Sequence, residues 1–259
     1  MFFVSKTSQV ILQVIVTLAA MITTGVWLKE NIWAYPADNI YSGQNLFVLR
    51  YWFDSRVIHH VHTKEKLVAL TFDDGPDPRY TPQVLDILKQ HRVHATFFVV
   101  GESVQRHPDI VKRELQEGHE IENHSYTHPD LGKKNGAEIL KELETTQKVI
   151  EITAGSAPRY FRPPRGLFNT QVVEIAQRLG MKTVLWDIGV EHRAFRDPRD
   201  MAYRVVGKAH PGIIILAHDG RLDRSLTVKA LPILINEYQK MGYRFVTLTE
   251  LLASAETSP

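Results

Sequence analysis

From Lys66 onward the chain alternates short apolar runs with segments whose apolar residues return every three or four positions. The runs are LVALTF (67–72), ATFFVV (95–100), GHEIENH (118–124), RYFRPP (159–164), KTVLWDI (182–188), GIIILAH (212–218) and YRFVTL (243–248). Between them lie TPQVLDILKQH, DIVKRELQEG, AEILKELETTQKVIEI, QVVEIAQRLG, MAYRVVGKA and VKALPILINEYQKMG, several of them closed by glycine, as helices commonly are. Strand and helix in turn, with runs as uniformly apolar as Gly212 to Leu216, predict parallel strands buried on both faces. About seven such units suggest an α/β barrel related to the TIM type, with an open doubly wound sheet as the alternative that periodicity does not separate.

The N-terminus follows a different pattern. Val10 to Leu28 carry no charge, with Lys6 before them and Lys29-Glu30 after. A bilayer core needs about 20 predominantly apolar residues, so this stretch is expected to span a membrane once. A cleaved signal peptide is the competing reading, but its apolar stretch is usually about 7–15 residues with small residues at the cut, and Ala19-Ala20 lie inside the run. Lys6 on the short side favours a cytoplasmic N-terminus and an exported remainder. Residues 1–29 are therefore expected as anchor, 30–65 as linker and 66–253 as the folded domain. The linker contains His59-His60-Val61-His62, read as a solvated spacer because no carboxylate is near it in sequence.

Composition narrows the chemistry. At 44% hydrophobic and 23% charged over 259 residues, the chain can bury a sizeable core. A net charge of +2 without a basic stripe argues against a nucleic-acid partner, and nothing points to a protein partner. With no cysteine, a transition metal has only His and carboxylate ligands to bind.

Active sites of barrels and open α/β sheets gather at the carboxyl ends of strands. Polar residues unsuited to a core recur at those points here: Asp73-Asp74 after LVALTF, His124 at the end of GHEIENH, Arg162 after RYF, Asp187 after TVLW, and His218-Asp219 after IIILA. Asp73-Asp74-Gly75-Pro76 is turn-forming in composition, yet two adjacent carboxylates at a strand mouth also supply a hard ligand and a base. His124 and His128 are spaced i, i+4 and share a face if the segment makes a helical turn. Asp74, His124 and His128 together form a three-ligand set with room for water, the pattern of catalytic zinc.

TFDDGPDP, HSYTH, RPPRG and LAHD, in this order and at strand ends, resemble the polysaccharide deacetylase family, whose shared unit is the NodB homology domain of carbohydrate esterase family four. The resemblance covers about Lys66 to Leu252. It implies a distorted (β/α) barrel that uses one divalent ion, commonly zinc, to remove acetyl groups from a polysaccharide. It also implies Asp73 as catalytic base, Asp74, His124 and His128 as metal ligands, and Arg162 as the residue holding the base. His218 matches the catalytic acid and Leu216 the leucine of the acetyl-methyl pocket, while Arg165 and Trp186 are expected to touch substrate.

One motif departs. Where the family has an Asp supporting the acid, this chain reads Trp186-Asp187-Ile188-Gly189-Val190-Glu191-His192-Arg193. Ungapped alignment puts His192 at that position, and a one-residue shift brings in Glu191, which is expected beside His218, with Asp187 as the alternative. The other histidines, Lys133-Lys134, Arg221 and Arg224 are expected on packing or solvated faces, with Arg221 also a possible substrate contact. Ser125 lacks the glycines of a nucleophile elbow. Two rival functions stay open at this point: a metal-dependent amidase for a small C–N substrate, and a non-catalytic sugar-binding relative.

Overall fold

A computed structural model gives residues 54–192 and 194–255. The expected membrane anchor and most of the expected linker lie outside the described residues. Among the described residues no helix is long and apolar enough to cross a membrane.

Among the described residues nine strands form one sheet. In chain order the elements are β1 (Val57–Ile58), β2 (Leu67–Asp73), α1 (Thr81–His91), β3 (Thr96–Val99), α2 (Gly101–Arg106), α3 (Pro108–Gln116), β4 (Glu120–Asn123), α4 (Gly136–Ala154), β5 (Tyr160–Phe161), α5 (Thr170–Arg178), β6 (Lys182–Val184), β7 (Ile188–Gly189), α6 (Pro198–Val206), β8 (Ile213–His218), α7 (Ser225–Lys240), β9 (Arg244–Val246) and α8 (Leu248–Ala253). Every pairing is parallel, and the main path runs β1-β6-β5-β4-β3-β2-β8-β7. On one side of β2, β9 pairs with residues 67–69 and β3 with residues 71–73. This is the parallel (β/α) architecture expected, with no ladder joining β1 to β7 or β8 among the described residues. A single backbone bond bridges that seam instead, Val61 N–H donating to Gly212 O at 3.0 Å.

Two strands were not anticipated. The run KTVLWDI divides into β6 and β7, which pair with different strands: β6 lies between β5 and β1, where Leu185 N–H continues the ladder by donating to Ile58 O at 2.7 Å, and β7 pairs with β8. Residues 57–58, placed in the expected linker, form β1, and Val57 and Val61 are buried. A two-residue strand offers too little alternation to be read as a period.

The apolar runs divide by parity. Val68, Leu70 and Phe72 of β2 and Ile213, Ile215 and Ala217 of β8 pack with Val84, Leu85 and Leu88 of α1 and Leu231 and Leu234 of α7. Leu67, Ala69, Phe98, Val184, Ile214 and Leu216 form a second cluster, with Leu248 and Leu251 of α8. Each strand thus buries one face under helices and the other inside the curl of the sheet, as period-two side chains on a doubly covered strand must. A fully buried Leu, Ile or Phe is worth about 1.5–3 kcal/mol, so both faces contribute heavily.

Helix ends are set locally. Pro82 opens α1, and Arg92 closes it in the left-handed region at φ 55. Asn135 with Glu138, and Thr247 with Glu250, form capping boxes on α4 and α8.

Candidate active site

The second parity set carries the chemistry. Continuing 67, 69 and 71 along β2 leads to Asp73, and continuing 214 and 216 along β8 leads to His218, its direct partner in the ladder. The same inner positions past β5 and β6 are Arg162 and Trp186. Polar residues therefore appear where inward-facing positions leave the core and reach the mouth.

Asp73 is almost fully buried, and its Oδ1 accepts from Arg162 Nη1 at 2.7 Å. The guanidinium has no exposure and also donates to Thr71 Oγ1 at 2.8 Å and Leu185 O at 2.9 Å. Its charge lies over the Phe98 ring, 4.0 Å from the centroid. A buried cation with this many fixed partners holds the Asp73 carboxylate in one orientation.

Asp74 follows in the left-handed region, at φ 79. Its Oδ1 lies 3.1 Å from His128 Nε2 and 3.7 Å from His124 Nε2, and one ligand atom from each residue falls within 4.8 Å of the others. His124 Nδ1–H donates to Arg162 O at 2.7 Å, which leaves Nε2 with its lone pair toward Asp74. Burial lowers the His124 pKa despite Asp73 and Asp74, keeping the ring neutral. Burial pushes the Asp74 carboxyl up, but His128, His124 and His218 outweigh it and hold the group well below the usual carboxylate range. An anionic oxygen with no hydrogen bond directed at it, facing two imidazole nitrogens, fits a divalent ion.

The expected helical turn between the two histidines is absent. Residues 124–128 form a bend with Ser125 at φ 63 and His128 at φ 59. Ser125 N–H donates to Asn123 Oδ1 at 2.9 Å, and His128 N–H to Ser125 Oγ at 3.2 Å. The Glu142 carboxylate on α4 accepts from Tyr126 N–H at 2.9 Å, Thr127 N–H at 2.8 Å and the Thr127 hydroxyl at 2.7 Å. Asn123 and Glu142 were missed in the sequence. Asn123 ends a strand, which was a usable hint, whereas Glu142 looks like any charged helix position.

On the other side of the mouth, His218 Nδ1 lies 3.1 Å from Glu191 Oε2, and His218 N–H donates to Glu191 Oε1 at 3.0 Å. Thr227 Oγ1–H donates to the same carboxylate at 2.6 Å. Burial would lower the His218 pKa, but the Glu191 charge and hydrogen bond raise it above the ordinary histidine value. Burial raises Glu191, and His218, Thr227 and Arg224 bring it down to about 2. Asp187 faces the seam instead: Oδ2 accepts from Ile214 N–H at 2.8 Å, and Oδ1 lies 3.7 Å from His60 Nδ1 and 3.5 Å from His210 Nε2. His192 turns back on its own loop, accepting from Ala194 N–H at 3.2 Å beside Phe195. Of the three residues weighed, Glu191 is the one that reaches His218.

Leu216 lines the inner face at 5% exposure, and Trp186 packs against Gly166 of the Pro164–Gly166 turn. Arg165 in that turn is exposed, at φ 59. Arg224, expected on a solvated face, is instead buried, and its Nη2 donates to Asp74 Oδ2 at 3.0 Å. Arg221 is exposed, as expected, with Nε 3.9 Å from Asp74 Oδ1.

The family model described as polysaccharide deacetylase matches residues 60–184. A peptidoglycan-N-acetylglucosamine deacetylase of Bacillus cereus is 44% identical over 198 residues, covering 76% of this chain and 92% of that protein. The peptidoglycan-N-acetylmuramic acid deacetylase PdaA of Bacillus subtilis is 40% identical over 199 residues, covering 75% and 74%. Among solved structures, a peptidoglycan N-acetylglucosamine deacetylase in complex with an N-hydroxybenzamide derivative superposes with a TM-score of 0.75 at 34% identity, covering 81% of this chain and 99% of that one. A family-four pseudoenzyme of Bacillus anthracis gives a TM-score of 0.71 at 34% identity, covering 78% and 70%. The chain belongs to the polysaccharide deacetylase family.

Proposed function

We propose that this chain hydrolyses N-acetyl groups on a cell-wall or extracellular polysaccharide, such as peptidoglycan or a chitin-like oligosaccharide. The observation that carries this reading is the opposed pair of devices at one mouth, Asp73 on Arg162 and His218 on Glu191, with the Asp74–His124–His128 triad beside them. Asp74, His124 and His128 would hold one divalent ion, zinc by the donor set, which supplies Lewis acidity toward a carbonyl and toward water. Asp73, held in one orientation by Arg162, accepts the proton of the attacking water. His218, kept protonated by Glu191, gives a proton to the departing amine as the C–N bond breaks. We assign the oxyanion to a backbone N–H near Arg165 in the Pro164–Gly166 turn, and the acetyl methyl to the apolar wall of Leu216. Two relatives named for peptidoglycan amino sugars support a wall polymer as substrate.

A second reading, a non-catalytic sugar binder, is favoured by the pseudoenzyme among the structural relatives. Acetate release from chito-oligosaccharides, peptidoglycan, acetylated xylan and small amides separates the readings. Chelator-sensitive release from the amino-sugar polymers is expected. Turnover on small amides alone would identify an amidase, and binding without turnover a sugar binder.

We also place residues 10–28 in a membrane as an uncleaved anchor with the folded domain outside the cytoplasm, on the strength of the uncharged run. Cell fractionation should recover full-length chain with membranes. A soluble form beginning near Asn31 would show a cleaved signal instead.

A further inference from the structure

The loop from His218 to Arg224 is pressed onto the turn that carries Asp73 and Asp74. A Cβ on Gly220 would lie 2.3 Å from Asp74 O, and one on Gly75 would lie 2.4 Å from Asp219 Oδ2, so the two turns interlock through two glycines. Arg224 fastens the contact. Its guanidinium is buried, with Nε–H donating to Gly220 O at 2.7 Å and Nη2–H donating to Asp74 Oδ2 at 3.0 Å.

This arrangement uses the two oxygens of Asp74 differently. Oδ2 is bound by Arg224, while Oδ1 is buried without a hydrogen bond and faces the His124 and His128 nitrogens. Arg221 Nε, at 3.9 Å, is too distant to hydrogen-bond Oδ1. An ion among the three ligands therefore meets one carboxylate oxygen. Released from Arg224, the carboxylate could rotate and offer both oxygens, filling a position that catalysis needs open.

We propose that Arg224 is a positioning residue that keeps Asp74 a one-oxygen ligand and so preserves an open coordination position for water or substrate. The proposal rests on the metal-site reading above and adds a role for a residue outside the ligand set. It also links the metal side to the acid side, because the same guanidinium braces the loop that starts at His218.

The test compares Arg224→Met, which keeps an unbranched apolar stem and removes the donors, with wild type, each loaded with cobalt(II) and zinc. The intensity of the cobalt d–d bands reports coordination number, being strongest at four-coordinate sites and weaker as ligands are added. Arg224→Met is expected to bind one ion with weaker d–d bands than wild type, and zinc about 10–100-fold less tightly, the usual range for losing a group that orients a ligand. Arg224→Lys, whose single ammonium does not replace the guanidinium fork, should fall between the two. If Arg224→Met does not fold, as circular dichroism would show, Arg224→Lys carries the comparison. Cobalt bands identical to wild type in a folded variant overturn the proposal, whatever its zinc affinity. Failure of the deacetylase reading would look different, as wild-type protein that binds metal normally but releases no acetate.

Discussion

On the β2 side of the mouth a carboxylate, Asp73, answers a guanidinium, while on the β8 side an imidazole, His218, answers a carboxylate. The first pair is sealed: Arg162 has no exposure and Asp73 has 3%. The second is only partly covered, with both side chains 25% exposed. An arginine stays charged across the working pH range, and the other partners of this one, Thr71 Oγ1 and Leu185 O, do not titrate. A histidine titrates within that range, so the second pair changes state with pH. The proposed base is thus held by fixed partners, and the proposed acid is tuned by its neighbour.

The largest expected effect comes from breaking the sealed pair. Asp73→Asn keeps the shape and the three metal ligands but removes the proton acceptor, so activity should fall about 10²–10⁴-fold while one ion still binds. Stability should fall too, because the Arg162 charge remains buried without a counter-charge. Near-normal turnover in the metal-loaded variant would place the base elsewhere.

A smaller effect is expected from the support of the histidine loop. Glu142→Gln keeps one acceptor oxygen where three donors converge, so the bend carrying His128 should loosen. Isothermal titration should show metal affinity about 10-fold weaker, at the low end for groups that orient ligands. Unchanged affinity would mean that Asn123 and Ser125 alone fix the bend.

What the sequence revealed, and what it hid, follows the same division. Asp73, Asp74, His124, Arg162 and His218 were legible because a polar residue at the end of a buried run has few reasons to be there. The strands of the core were legible for the complementary reason, since both faces of each are apolar. Glu142 and Arg224 were not, because a charged residue on a helix or in a loop has no period to violate, and only the fold brings it to the site. His60 shows the limit from the other side. It sits in a cluster that lacks a carboxylate nearby in sequence, yet Asp187 reaches it across the seam. The i, i+4 spacing of His124 and His128 named two rings that do converge on Asp74, but by another geometry, since two left-handed residues do what a helical turn was expected to do.

The smallest expected effect, and the one that bears most directly on the partly covered pair, is a displacement of a pH profile. The Glu191 charge and hydrogen bond raise the His218 pKa against the lowering effect of burial. A catalytic acid must be protonated, so activity falls as pH rises through that pKa, which sets the alkaline limb. Glu191→Gln removes the charge that favours imidazolium, so the pKa drops and the limb moves to lower pH. Asp187→Asn should leave the limb in place, because Asp187 bonds to Ile214 N–H and faces His60 and His210. Measuring kcat/KM against pH for both variants decides the matter, since that profile reports groups in the free enzyme. If Asp187→Asn alone moved the limb, the seam would be tuning the acid, and the contrast between a sealed base and a locally tuned acid would have to be redrawn.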